Sequence, residues 1–147
     1  MANLLSFLIP LYNEENRVNS IFDFYKQINN LFNFDIEIIC ILNGCTDNTK
    51  KVLQSNINNK NIKIISIDKR SRGTAIKIGI ENSSSDLIAI ASVDNAWDIS
   101  FYKKSYDSLI NDKNLSIVYG PKSHLKSIVK RPLIRKIISF FCKIYLK

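Results

Sequence analysis

The feature that most constrains this chain is an alternation of short apolar runs with longer amphipathic stretches. Leu4–Ile9, Ile36–Leu42, Ile62–Ile67, Leu87–Val93 and Leu115–Tyr119 are each five to eight residues long and mostly Ile, Val and Leu. Near-continuous hydrophobicity at that length is the pattern of strands buried on both faces. Candidate helices fall between them, at about 14–31, 46–56, 73–83 and 99–111. In the first, Val18, Ile21, Phe22, Tyr25, Ile28 and Leu31 recur at spacings of three and four and give one buried stripe. Asn13 stands at its cap position, with Glu14 and Glu15 in the first turn, where carboxylates suit the helix dipole. Strand–helix alternation predicts an α/β fold, a mainly parallel sheet flanked by helices and joined by right-handed crossovers.

A chain of 147 residues is expected to form one domain with a core that needs no disulfides. In parallel sheets ligands bind on the loops at the carboxyl ends of the strands. Those loops are polar throughout: Pro10–Glu15, Asn43–Thr49, Asp68–Gly73 and Asp94–Asp98. Neither G-x-G-x-x-G after the first strand nor G-x-x-x-x-G-K-[ST] occurs, which excludes the two commonest glycine-loop nucleotide sites. A diphosphate here needs another charge partner, either a carboxylate-held divalent cation or the basic loop around Arg70 and Arg72.

Charge is divided unevenly. Residues 1–100 hold ten Lys/Arg against eleven Asp/Glu, whereas 101–147 hold eleven against two, a local excess of nine. That asymmetry points the C-terminal third toward an anionic partner. Nucleic acid is the weakest candidate, because it leaves the four polar loops without a role. The three cysteines, Cys40, Cys45 and Cys142, have no paired spacing and read as reduced thiols. The N-terminal apolar run lacks a basic flank and reads as a first strand. No run reaches the roughly 18 apolar residues that span a bilayer.

Together the four loops resemble family 2 glycosyltransferases of the GT-A fold, and among them the dolichyl- or polyprenyl-phosphate mannose and glucose synthases. The carrying residues are IPLYNEE (Ile9–Glu15), ILNGCTDNT (Ile41–Thr49), SRGTAIKIG (Ser71–Gly79) and SSDLIAIASVDNAWD (Ser84–Asp98). They follow, in order and approximate spacing, the family's P-x-Y-N-E-E, D-D/N-G-S-x-D-x-T, G-K-G-x-A-x-x-x-G and G-D-x-x-x-x-x-D-A-D. The resemblance implies a single Rossmann-like GT-A domain over 1–147, truncated on the acceptor side. Residues 1–98 would form the nucleotide-sugar-binding half, and 99–147 the start of an acceptor half with a basic amphipathic helix.

The resemblance also implies roles. Pro10, Tyr12, Asn13 and Glu14 in the first loop, Asn43 and Asp47 in the second, Arg72 and Ser92 would bind the donor. Asp94 matches the last carboxylate of the D-x-D motif; it is the candidate catalytic residue and ligand of Mg²⁺ or Mn²⁺ on the diphosphate, or else it caps the helix near Ile99. Asp47 and Thr49 have an alternative as turn residues. In the tail, Arg131, Arg135 and Ser139 match acceptor-side positions. Ile134, Ile137, Ile138, Phe141 and Ile144 would form a lipid-facing stripe, with Lys136 and Lys143 toward headgroups. The implied activity is inverting transfer of a hexose from GDP-mannose or UDP-glucose to a polyprenyl phosphate, with peripheral contact through 128–147 at the cytoplasmic membrane face. Two departures stand out: Ser92 replaces the first D-x-D carboxylate, and Leu42 stands where the family often has an acid. They open an alternative: a catalytically weak nucleotide-sugar-binding module, or one half of a split enzyme completed by a partner chain.

Overall fold

A computed structural model describes residues 4–57, 60–94 and 97–120, together with Ile134, Ile138, Ser139, Phe141, Cys142 and Tyr145. Its elements run β1 (Leu4–Leu11), α1 (Ser20–Leu31), β2 (Asp35–Asn43), α2 (Thr49–Asn56), β3 (Ile62–Ile67), α3 (Arg72–Glu81), β4 (Ile88–Ile90) and α4 (Ile99–Asn111). The described strands form one parallel sheet in the order β3-β2-β1-β4. The α/β class and the parallel sheet expected from the apolar runs are thus observed.

Strand pleating distributes the core over both faces. Phe7, Ile9 and Leu11 of β1 and Ile36, Ile38, Cys40 and Leu42 of β2 pack with Ile21, Phe24 and Ile28 of α1, Leu53 of α2 and Tyr102 of α4. Phe7 meets Phe24 and Tyr102 edge to face, with ring centroids 5.4 and 5.2 Å apart. The opposite face is thinner: Leu8, Ile39 and Ile41 lie against Ala75 of α3. That helix seats by small residues, since a Cβ on Gly79 would lie 3.0 Å from Leu8 Cδ1 and 3.1 Å from Ile41 Cδ1. Cys40 is fully buried, and burial pushes its thiol up to about 12.

Several expectations are corrected. α1 begins at Ser20, and its cap position is Asn19 rather than Asn13. Glu14 and Glu15 precede the helix in a turn, where Arg17 N–H and Val18 N–H donate to Glu14 O. Asn13 instead has φ +53°, a left-handed conformation that Asn tolerates better than most side chains. Leu115–Tyr119 is not a strand: no strand among the described residues pairs with it, and Ile117 and Tyr119 are each 77% exposed.

β4 is also shorter than the apolar run Leu87–Val93. The cause lies in β1, its only neighbour among the described strands. Ser6 N–H donates to Leu87 O, and Ala91 N–H donates to Leu8 O. The next β1 donor on that side would be Pro10, which has no N–H. The ladder therefore ends, and the β1 and β4 chains part at their carboxyl ends.

Candidate functional site

The parting falls where the order of strands reverses: β1 leads outward to β2 and β3, and β4 lies on its other side. Such a switch point is the usual ligand crevice of an open parallel sheet. Here it is a cleft of about 410 Å³ lined by Pro10, Tyr12, Glu14, Arg17, Asn43, Arg70, Arg72 and Ala91–Asp94. Of the candidate donor residues, Pro10, Tyr12, Glu14, Asn43, Arg72 and Ser92 come together in it, with the candidate catalytic residue and metal ligand Asp94.

Asn13 and Asp47 do not line the cleft; they join its two supporting loops. Asn13 Oδ1 accepts from Thr46 N–H at 2.9 Å, and Asn13 Nδ2 donates to Thr46 Oγ1 at 3.1 Å. Asp47 accepts from Thr49 N–H at 3.0 Å, Thr49 Oγ1 at 2.5 Å and Glu15 N–H at 3.2 Å. Burial pushes the Asp47 carboxyl up, but these donors together outweigh it and hold it below the ordinary value. Thr49, fully buried, also accepts from Glu14 N–H at 2.7 Å, and Glu15 accepts from Asn48 N–H at 2.9 Å.

The basic side of the cleft is fixed from below. Gly44 has φ +68°, and a Cβ there would lie 2.8 Å from Arg70 N. Beside it, buried Asn43 accepts from Ser71 N–H at 2.7 Å. Ser71 caps α3 by accepting from Thr74 N–H. Arg70 and Arg72 flank this cap, and the Arg70 guanidinium lies 3.9 Å over the centre of the Tyr12 ring.

Arg17 was not singled out by sequence. Its Nε and Nη2 both lie 2.7 Å from Glu14 Oε2. The only sequence signal is a cation three positions after an acid, a spacing found on many solvated helix surfaces.

On the acidic side, Asp94 is exposed and accepts from Ser92 Oγ at 2.5 Å. It does not cap α4; Asp98 does, accepting from Ser100 N–H at 2.8 Å. The Ser100 bonds lower the Asp98 carboxyl below its ordinary value, more than its slight burial raises it. Among the described residues no three His, Cys, Asp or Glu side chains cluster as a metal site. One carboxylate beside a hydroxyl suits a hard cation only when phosphate oxygens and water complete its shell. The described donors therefore fit a cation only if it arrives on a diphosphate, in which case Asp94 would be the charged ligand among them.

A second, larger cleft of about 470 Å³ lies beside β4, lined by Leu87–Ile90, Trp97, Phe101, Tyr102 and residues 116–120, among others. Its described lining is largely apolar and holds no charged side chain. Arg131 and Arg135 lie outside the described residues, as do Lys136, Ile137, Lys143 and Ile144. Ser139 is helical and half-buried, whereas Ile134, Ile138, Phe141 and Tyr145 are helical and exposed. Among the described residues no helix is long and apolar enough to cross a membrane.

Comparison with known proteins bears on family and fold. The model of glycosyl transferase family 2 matches residues 6–145. A dolichyl-phosphate beta-glucosyltransferase of Dictyostelium discoideum is 30% identical over 97% of this chain and 48% of its own length. The dolichyl-phosphate beta-glucosyltransferase of Homo sapiens is 28% identical, over 92% of this chain and 47% of its own. The chain thus spans about half the length of the curated relatives it matches. Among solved structures, S. aureus TarS 1–349 in complex with UDP superposes with a TM-score of 0.58, at 14% identity, over 73% of this chain and 32% of that one. This last likeness concerns the fold.

Proposed function

The chain belongs to glycosyl transferase family 2, and from that premise we propose that its cleft holds the nucleoside diphosphate of a nucleotide sugar for transfer of a hexose, glucose foremost, to a polyprenyl phosphate. The observation that carries the reading is the cleft itself. One aromatic ring, one buried amide, three guanidinium groups and one exposed carboxylate converge at the strand-order switch point. The names of the relatives support dolichyl phosphate as acceptor and glucose as the sugar. The UDP bound by the structural neighbour supports a uridine donor.

In this reading Tyr12 offers a face to the base, and Asn43 and Glu14 are the hydrogen-bonding groups near base and ribose. Pro10 and Ser92 shape the floor. Asn13 and Asp47 act as positioning residues, since they hold the loop that carries Tyr12 and Glu14. Arg72, with Arg70 and Arg17, faces the diphosphate; guanidinium groups suit it through paired, charge-assisted donors. Asp94 would hold a Mg²⁺ or Mn²⁺ that enters with the diphosphate. Such an ion supplies further neutralisation of the leaving group. For an inverting reaction, an acceptor phosphate oxygen forms a bond to the anomeric carbon as the bond from that carbon to the diphosphate oxygen breaks. The leaving diphosphate keeps the electron pair. The attacking phosphate is already ionised near neutral pH, so no strong general base is needed.

Acceptor handling by Arg131, Arg135 and Ser139 belongs to the same proposal. So does seating of 128–147 on the cytoplasmic face of a membrane: exposed Ile134, Ile138 and Phe141 supply an apolar stripe at helical spacing. Residues 1–98 then act as the donor half and 99–147 as the start of the acceptor half. Ser92, which stands in place of the first D-x-D carboxylate, favours a second reading, in which this region binds the donor but transfers weakly or not at all.

Calorimetric titration with UDP and GDP, each with Mn²⁺ and then with chelator, tests the donor site. Saturable binding of one nucleotide, with a metal-dependent component that Asp94→Ala removes, is expected. Absence of binding to both by folded protein contradicts the reading. A transfer assay with labelled UDP-glucose and polyprenyl phosphate in anionic vesicles then separates the two readings. Product from this chain alone supports the first, and binding without product supports the second.

A further inference from the structure

The pairing of Arg70 with Tyr12 does more than decorate the cleft. The Arg70 guanidinium lies 3.9 Å over the Tyr12 ring, covering one face of the only aromatic side chain among the described residues that line the cleft. Among the described residues Arg70 has no carboxylate within ion-pair distance, whereas Arg17, beside it in the cleft, is engaged by Glu14. The backbone under Arg70 is held by its close approach to Gly44 and by the bond from Ser71 N–H to Asn43. The side chain itself is exposed. Its mobility is therefore confined to rotation of the side chain over a fixed base.

A cation on a half-buried ring such as Tyr12 is weakly held compared with a guanidinium on a phosphate, where charge and paired donors act together. A nucleoside diphosphate presents the two groups this pair lacks, a flat ring for Tyr12 and an anion for Arg70. We propose that Arg70 is a two-position specificity residue. Without ligand it covers Tyr12 and disfavours bare nucleosides. When a nucleoside diphosphate enters, the base replaces it on the ring and the guanidinium swings to the phosphates. The cleft thereby rejects ligands that have a base but no phosphate. This rests on the donor-site reading above.

The test compares uridine and UDP, by nuclear magnetic resonance titration of the wild-type chain and Arg70→Ala, with circular dichroism to verify folding. Exchange predicts opposite changes: uridine binds the variant about twofold or more tighter, and UDP about tenfold or more weaker. Arg70→Lys, which keeps charge but loses the planar stack, should bind UDP closer to wild type than Arg70→Ala does. Parallel changes for the two ligands, or no change for either, overturn the exchange while leaving the donor site standing. Failure of the wild-type chain to bind UDP overturns both.

Discussion

At the residue scale, Gly44 has the sharpest consequence. Its positive φ and the 2.8 Å separation of a virtual Cβ from Arg70 N act together, because relieving the contact means lifting the loop that carries Arg70 and Arg72. Gly44→Ala should therefore lower stability by about 1–3 kcal/mol and weaken UDP binding as well. A urea midpoint and a UDP titration check this; unchanged affinity would mean that the loop position does not matter to the site. The first loop was legible as part of a cleft wall, but the separate placement of its residues was not. Asn13 shares a motif with Tyr12 and Glu14, and Asp47 shares one with Asn43, yet Asn13 bonds Thr46 and Asp47 bonds Glu15, each more than thirty residues away. Nothing local distinguishes a side chain that braces a loop from one that faces a ligand. Arg17 escaped for a similar reason, since a Glu–Arg pair three apart has an ordinary solvent-exposed reading.

At the element scale, the opposite end of the sheet is held by one buried carboxylate. Glu37 of β2 accepts from Ser6 Oγ of β1 at 2.6 Å and pairs with Lys63 Nζ of β3 at 2.5 Å. It also accepts from Ser84 N–H and Oγ, at 3.0 and 2.9 Å, ahead of β4. Burial pushes its carboxyl up, but Lys63, Ser6 and Ser84 outweigh burial and bring it from 4.5 to about 2. Because the folded value is lowered, its stabilisation is complete above about pH 4.5 and is lost as pH falls through about 2. The amount is about 3 kcal/mol by the usual conversion. Urea midpoints of the wild-type chain should fall across that window, and Glu37→Gln should be less stable at pH 7 and flatter below pH 4.5. An equal fall in the variant would assign the acid loss to other groups.

The strands themselves were legible because parallel ones must be apolar on both faces, as β1 and β2 are. The ends of β4 and the fate of Leu115–Tyr119 were not. One depends on a missing N–H in a neighbouring strand, the other on a pairing partner. Apolar alternation records neither.

At the scale of the whole molecule, the order β3-β2-β1-β4 makes the site. Pro10 ends the ladder at the position where the strand order reverses, so the opening, its polar floor and its basic wall follow from one topology. That placement was legible in advance, because every loop at a strand's carboxyl end is polar. The competition between the two clefts was not legible: the apolar one beside β4 is the larger, at about 470 Å³ against 410 Å³, and volume alone would favour it. Chemistry favours the other, since only the switch-point cleft combines guanidinium groups, an exposed carboxylate and an aromatic face. Mapping backbone amide shifts of the isotope-labelled chain during a UDP titration tests this most directly. Saturable shifts are expected at Tyr12–Arg17, Asn43–Gly44, Arg70–Gly73 and Ser92–Asp94, with little change at Trp97–Tyr106 or Ser116–Gly120. Shifts centred on the β4–α4 groove, or none at saturating UDP, would contradict this placement of the site.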